Sequence, residues 1–91
     1  MDNKRKKATA LKYDPEKNKA PVVAAKGQGF IAEEIIRRAK EHGIEIKEDP
    51  NLVEALSKVE IYTEIPEELY KAVALILSEV YKINEKFKSN R

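Results

Sequence analysis

The 91-residue chain has no cysteine and no tryptophan, and its only histidine is His42. Without cysteine there is no disulfide framework, no thiol nucleophile and no thiolate metal ligand. A single histidine also lacks the histidine or cysteine partners with which it would hold a zinc ion. We therefore expect no metal site, and we place His42 at a helix end, where its ring can interact with the last carbonyl groups.

Long apolar runs are missing as well. The longest unbroken one covers residues 72–77, which is far shorter than the roughly 20 residues of a transmembrane helix. The charged N-terminus is not followed by the apolar segment of a secretory signal. The sequence therefore predicts neither a membrane span nor a secretory signal.

Charge is unevenly distributed along the chain. The formal net charge is +2, but residues 1–7 and 82–91 carry +3 each, which leaves −4 on residues 8–81. A nucleic-acid-binding domain usually places basic residues on a folded face among aromatic or polar side chains. We therefore predict a disordered basic tail at 1–7, one domain at 8–84, a frayed basic end at 85–91, and no nucleic-acid partner. A weak contact of the basic ends with RNA or an anionic membrane is the open alternative.

Apolar periodicity predicts the fold class α/β, with a small mixed β-sheet of three to four short strands surrounded by about three helices. The predicted elements are strands at 8–13, 22–26 and 44–48, a fourth short strand or extended link at 59–62, and helices starting after Gly29, at Pro50 and at Pro66. Gly43 is predicted to end the first helix, and Asp49 to cap the second.

The turn between the second strand and the first helix has two interpretations. Gly27, Gly29 and Ala32 fit the dinucleotide fingerprint G-x-G-x-x-G/A, and Glu48 stands near the position of the ribose-binding acid. The alternative function is therefore a small nucleotide- or dinucleotide-binding domain. The other interpretation is a tight turn that needs small residues, since 91 residues supply too few strands for a complete dinucleotide domain.

Adjacent acidic residues do not form catalytic dyads. Each pair stands near the start of a helix, where side chains of neighbouring residues point about 100° apart. The pairs are Glu33/Glu34, Glu48/Asp49 and Glu67/Glu68. Because no nucleophile, base and orienting group stand together, we predict that the protein is not an enzyme.

Several sequence blocks carry a resemblance to a known family. They are ATALKYDPE (8–16), APVV (20–23), AKG (25–27), EHGI (41–44), EI (60–61), EIP (64–66) and LYKAVA (69–74). In order and spacing they resemble the C-terminal cytoplasmic domain of the FlhB/YscU family of type III export-gate proteins, over about residues 8–84. The resemblance implies a mixed small sheet wrapped by helices.

The resemblance also implies a function and partners. It implies a cytoplasmic protein, peripheral to the inner-membrane flagellar export gate, that acts in substrate recognition or the specificity switch. The implied partners are flagellar export substrates and membrane-bound gate proteins, including an FlhB that lacks this domain. The family carries a similar glycine turn and is not known for binding nucleotides, so no cofactor is implied.

The sequence departs from the family pattern in two places. Members have membrane helices before the domain, whereas this chain begins at Met1 without them. Members also carry Asn-Pro-Thr-His ahead of the first strand, where the chain cleaves itself between Asn and Pro. At the positions of these four residues, this chain has Asn3, Lys4, Arg5 and Lys6. The likeness is therefore to stand-alone FlhB-like proteins, and we expect no self-cleavage.

A docking patch follows from the resemblance. In the family, a small hydrophobic patch receives early export substrates, and its positions map onto Ala20, Pro21, Ala74 and Leu77. Two stripes run along the last helix about 100° apart: Leu69, Val73, Ile76, Val80 and Ile83 are expected to face the sheet, and Tyr70, Ala74, Leu77 and Tyr81 form the second. The patch requires this helix to pack beside the start of the second strand. A broad core contact by both stripes is the alternative.

Overall fold

The computed structural model describes the backbone of residues 6–89 and the side chains of residues 6–79. Its elements are β1 (Lys7–Lys12), β2 (Val22–Gln28), α1 (Phe30–Glu41), α2 (Pro50–Leu56) and α3 (Tyr70–Ser89), with a short 3-10 helix, Glu67–Leu69, directly before α3. Residues 1–5 and 90–91 of the predicted basic ends lie outside the described part of the chain.

The two strands form an antiparallel ladder from the pair Lys7–Gln28 to the pair Lys12–Val22, with a register shift after Ala10. Their connection begins with the turn predicted around Asp14. The Asp14 carboxylate accepts the Glu16 N–H at 3.1 Å. Side-chain capping of this kind is the reason that Asp favours turns.

The sheet is covered on both faces. By the alternation of an antiparallel pair, Ala8, Ala10, Ala25 and Gly27 share one face, and α1 packs against both strands. These small side chains allow the helix to approach closely: a Cβ built at Gly27 would lie 2.8 Å from the Cβ of Ile31. The close packing of α1 on β2 therefore requires glycine at position 27.

The opposite face carries the hydrophobic core. Its buried members come from the chain before β2, from β2, from α2, from the segment before α3 and from α3: Ala20, Val23, Leu52, Leu56, Ile65 and Val73. Leu11, Val59, Leu69, Ala72, Ile76 and Leu77 pack around this cluster. Val23 and Val73 are almost wholly buried, and each contributes about 2 kcal/mol of transfer free energy.

A lysine ties the end of α2 to the sheet. Lys26 is half-buried, and its Nζ donates to the carbonyl oxygens of Ser57 at 3.1 Å and Val59 at 2.6 Å. Both carbonyls closely follow α2, and a cation is favourable near the C-terminal end of a helix. The start of α2 follows the prediction, because Asp49 accepts the Leu52 N–H at 3.1 Å and Pro50 opens the helix.

The predicted third strand at 44–48 is wrong. After α1, the Ile44 N–H donates to Ala39 and the Gly43 N–H to Lys40, which ends the helix in a Schellman arrangement with Gly43 at φ 69°. Residues 44–49 then run as an exposed, irregular segment. The alternation of isoleucine with charged residues is present, but the edge of β2 that does not pair with β1 bonds to a later segment instead.

That later segment is 62–65, and it replaces the strand predicted at 59–62. Val23 donates to the Thr63 carbonyl at 3.0 Å and accepts the Tyr62 N–H at 2.6 Å. The Ile65 N–H donates to Pro21 at 2.9 Å, and Val22 forms an isolated bridge with Glu64. Over residues 6–89 the α/β class and the helices are therefore as predicted, but the sheet has two antiparallel strands and not three to four mixed ones.

Gly29 generates the first testable prediction. It is the N-cap of α1, with φ 64° and ψ −128°, and its N–H donates to Lys6 at 2.8 Å. A β-branched residue strongly disfavours this backbone region, so Gly29→Val should destabilise the fold by more than about 1 kcal/mol. The urea unfolding midpoint measures this effect. Gln28→Val, at the exposed neighbouring position, is the control and should change little; an unchanged midpoint for Gly29→Val would contradict the assignment.

Candidate docking site

The first two residues of the predicted patch lie immediately before β2. Ala20 is 2% exposed and belongs to the core cluster. Pro21 is also buried, and its carbonyl accepts the Ile65 N–H. Close by, the Lys19 N–H donates to the Glu64 carboxylate at 3.1 Å. This end of β2 is thus held against the 62–65 segment and presents little side-chain surface.

The other two residues lie on α3. Ala74 is exposed, whereas Leu77 is half-buried and packs against the cluster that contains Ala20. Val73, which directly precedes Ala74 in the helix, is 1% exposed and belongs to the same core cluster as Val23. α3 and the residues at the start of β2 thus contribute to one core cluster. Of the four predicted patch residues, Ala74 is exposed and Leu77 half-buried, whereas Ala20 and Pro21 are buried.

The two predicted stripes of α3 are distinguished by burial. In the first, Val73 is buried, and Leu69 and Ile76 pack against the core, as predicted. In the second, Tyr70 and Ala74 are exposed and only Leu77 reaches the core. Val80, Tyr81 and Ile83 lie beyond the side chains that the structure describes. Over residues 69–79 the second stripe is therefore mostly exposed to solvent.

A cleft against α3 was not foreseen from the sequence. It has a volume of about 260 Å³ and lies between the segment after α1 and the outer side of α3; its lining residues are Lys47, Glu48, Asp49, Ala72, Leu75, Ile76 and Glu79. Leu75 is 65% exposed and falls on neither predicted stripe. Lys47 and Glu79 form an ion pair of 2.7 Å at this cleft, and that hydrogen bond raises the pKa of Lys47. The two residues are far apart in sequence, so no local pattern predicts their contact.

Ion pairs in the described part of the chain lie on the surface. The hydrogen bonds from Arg37 and then Arg38 lower the pKa of Glu34 to about 2, so that this carboxyl stays ionised in acid that would protonate an unpaired glutamate. The hydrogen bond from Lys7, 2.6 Å long, lowers the pKa of Glu54. Because these pairs are solvent-exposed, each is expected to contribute little to stability.

The glycine turn is explained without a nucleotide. Gly27 is required by contact with Ile31, and Gly29 by its positive φ. The acidic position of a dinucleotide domain follows a second parallel strand. Here β1 and β2 are antiparallel, and Glu48 stands in the exposed segment after α1. The geometry therefore does not favour the nucleotide-binding alternative.

His42 takes the role predicted for it. It is the C-cap of α1, and its Nδ1 lies 2.8 Å from the Arg38 carbonyl oxygen. Within the described residues, histidine and acidic side chains form no cluster of three or more that would suit a metal ion. Over the same part of the chain, no helix has both the length and the apolar character needed to cross a bilayer.

Solved structures with the same arrangement define the class of domain. The cytoplasmic domain of FlhB from Shewanella putrefaciens matches with a TM-score of 0.86 at 35% identity, covering 92% of this chain and 66% of that one. The PscU C-terminal domain matches with a TM-score of 0.78 at 26% identity, covering 84% and 98%. The fold is that of a C-terminal cytoplasmic domain of the FlhB type.

Sequence comparison identifies the family. The model of the FlhB HrpN YscU SpaS Family matches residues 2–80, and the chain belongs to this family. YlqH of Bacillus subtilis (strain 168) is 45% identical over 86 residues, which are 94% of this chain and 92% of YlqH. FlhB of Aquifex aeolicus (strain VF5) is 50% identical over 74 residues, 80% of this chain but 21% of that FlhB. The chain thus spans nearly all of YlqH and about a fifth of FlhB, and the resemblance found in the sequence blocks is confirmed.

Proposed function

We propose that this FlhB-family domain works in the cytoplasm at a flagellar type III export gate, where it binds export substrates and takes part in the specificity switch. The observation that supports the proposal is the core cluster shared by α3 and the start of β2. Leu77 packs against this cluster, which contains Ala20, and Ala74 on the same helix is exposed. An export module needs such a surface to recognise segments of unfolded substrate.

The shape of this surface suits a short, extended apolar segment. Ala74 is small, so that it adds apolar area without blocking the approach of a peptide backbone. Leu77 offers part of a branched side chain and is anchored by the core. Binding should be weak, because a mobile segment loses conformational entropy when it docks on a shallow site. Weak binding fits a component that must release each substrate in turn.

The buried members of the patch have a supporting role in this proposal. Ala20 is 2% exposed, and the Pro21 carbonyl is bonded to Ile65. Because both residues are buried, they offer little contact area themselves. Substitutions at these two positions would therefore alter folding together with binding, whereas Ala74 tests binding alone.

The proposed partners are export substrates and the membrane-bound gate, including an FlhB that lacks this domain. The chain corresponds to about a fifth of FlhB, and the FlhB of Shewanella putrefaciens supplies the matching cytoplasmic domain. A domain of this kind would supply the substrate-binding part to a gate in which it is missing. Binding to the gate in trans is part of the proposal.

Substitutions on α3 test the docking patch. Ala74→Asp and Leu77→Asp place a charge on the proposed apolar surface and should sharply reduce capture of a purified early flagellar subunit. Lys71→Glu, an exposed position on the polar side of the same helix, should leave capture unchanged. Pull-down with the folded variants, checked by circular dichroism, gives the result. If Ala74→Asp is folded and captures the subunit as well as the parent protein does, the site lies elsewhere.

The absence of self-cleavage can be tested by measuring the intact mass of the purified chain. In the family, the Asn side chain attacks its own backbone carbonyl in a turn before proline. Lys4 stands in place of that proline, so neither the turn nor the leaving group is the same. The purified chain should therefore keep a single intact mass during long incubation at neutral pH. A pair of fragments split after Asn3 would show that the lysine-containing sequence still cleaves.

A further inference from the structure

The turn at residues 60–63 holds a tyrosine in an unusual backbone conformation. The Thr63 N–H and hydroxyl both donate to the Glu60 carbonyl, at 3.3 Å and 2.6 Å. Tyr62, at the third position of this turn, has φ 70°. Glycine or asparagine usually occupies such a position, and among the described residues Tyr62 is the one non-glycine with positive φ.

The conformation is maintained by β2. The Tyr62 N–H donates to the Val23 carbonyl at 2.6 Å, and the Val23 N–H donates to Thr63 at 3.0 Å. Backbone strain of this kind persists only where the surroundings over-determine it, and such residues cluster at functional sites. The consequence here is that two neighbouring apolar side chains remain in solvent: Tyr62 is 76% exposed and Ile61 is 40% exposed.

Between Lys58 and Lys71, the sequence around the turn carries negative charge only. Residues 59–70 contain four glutamates and no lysine or arginine, so this stretch carries −4 while the rest of the chain carries +6. The four are Glu60, Glu64, Glu67 and Glu68, and all are exposed. Five ion pairs join other charged residues of the described chain, but none of the four enters an ion pair there. The Glu64 carboxylate accepts the Lys19 N–H at 3.1 Å, and no ion pair of the described residues neutralises the charge of the four.

We propose that the 60–63 turn, with its flanking glutamates, is a docking surface for a cationic and apolar segment of a partner protein. Cationic side chains would pair with the glutamates and stack on the Tyr62 ring, while apolar side chains would cover Ile61. The same charge repels RNA and anionic lipid, which excludes both as occupants. The surface is separate from the Ala74 and Leu77 patch, and the proposal does not depend on substrate binding there.

A synthetic peptide of alternating lysine and leucine is the probe for this surface. It should bind the full chain, with amide chemical-shift changes centred on residues 60–64, and binding should weaken as salt is raised. Peptides of glutamate with leucine and of lysine with serine are the controls. Neither should bind comparably, because each lacks one of the two required features. Strong binding of the glutamate peptide, or shift changes centred on another surface, would overturn the proposal.

Tyr62→Gly separates docking from folding. Glycine adopts positive φ without strain, so the variant should unfold at the same or a higher temperature than the parent protein. It lacks the ring, so its affinity for the lysine–leucine peptide should fall about tenfold. The matched control is Tyr13→Ser, which removes another exposed tyrosine in a lysine-rich region and should leave binding unchanged.

Removal of negative charge from the turn tests the electrostatic part of the proposal. Glu60→Gln combined with Glu64→Gln should weaken binding and reduce its salt dependence. A folded Tyr62→Gly variant that binds as tightly as the parent protein would overturn the proposal.

Sedimentation of the free chain tests whether a second copy occupies the surface, because the basic ends of the chain have the same chemistry as the probe. A dimer that Tyr62→Gly dissociates would make the occupant another copy of this chain, against the proposal of a distinct partner.

Discussion

The rest of the structure depends on the pairing of residues 62–65 with the start of β2. Val23 is the centre of this pairing, because both of its backbone polar groups bond to the 60–63 turn while its side chain is fully buried. The residues joined are about 40 positions apart, so the pairing closes a loop that contains α1 and α2. The loss of conformational entropy in closing that loop is offset by apolar burial around Val23.

Two consequences follow for the surface. The short segment after 65 leads directly into the 3-10 helix and α3, so fixing Ile65 against Pro21 also fixes where α3 begins. Val73 then enters the core, whereas Tyr70 and Ala74 of the second stripe remain exposed. The same pairing holds Tyr62 in its exposed conformation. The proposed substrate patch and the proposed acidic docking surface therefore stand on one structural element.

Local signals in the sequence predicted much of this fold. The caps at Asp49 and Gly43, the special backbone at Gly29 and the inner stripe of α3 all depend on neighbours within a few residues. The strand predicted at 44–48 failed because alternation shows that a segment suits a sheet, but not that an edge is free to receive it. Pairing between 21–23 and 62–65 is long-range, and nothing local specifies it. Tyr62 carries no sequence signal for positive φ, so its turn could not be foreseen.

For the proposed substrate patch, exposure of the individual residues could not be predicted from the sequence. Its positions came from family resemblance and from no pattern within the chain, and the structure then revealed that Ala20 and Pro21 are buried while Ala74 is exposed. Burial depends on how β2, the 62–65 segment and α3 pack together, which composition and periodicity do not encode. The cleft at Lys47 and Leu75 was missed for the same reason.

Native-state hydrogen exchange tests the central claim that the 62–65 segment is an integral part of the sheet. The Tyr62 and Ile65 amides should exchange as slowly as amides in the β1–β2 ladder, since they are bonded to Val23 of β2 and to Pro21 just before it. Amides of residues 45–48, in the exposed segment after α1, supply the fast reference. Exchange of Tyr62 and Ile65 at the rate of that reference would show that the 62–65 segment is not part of the sheet.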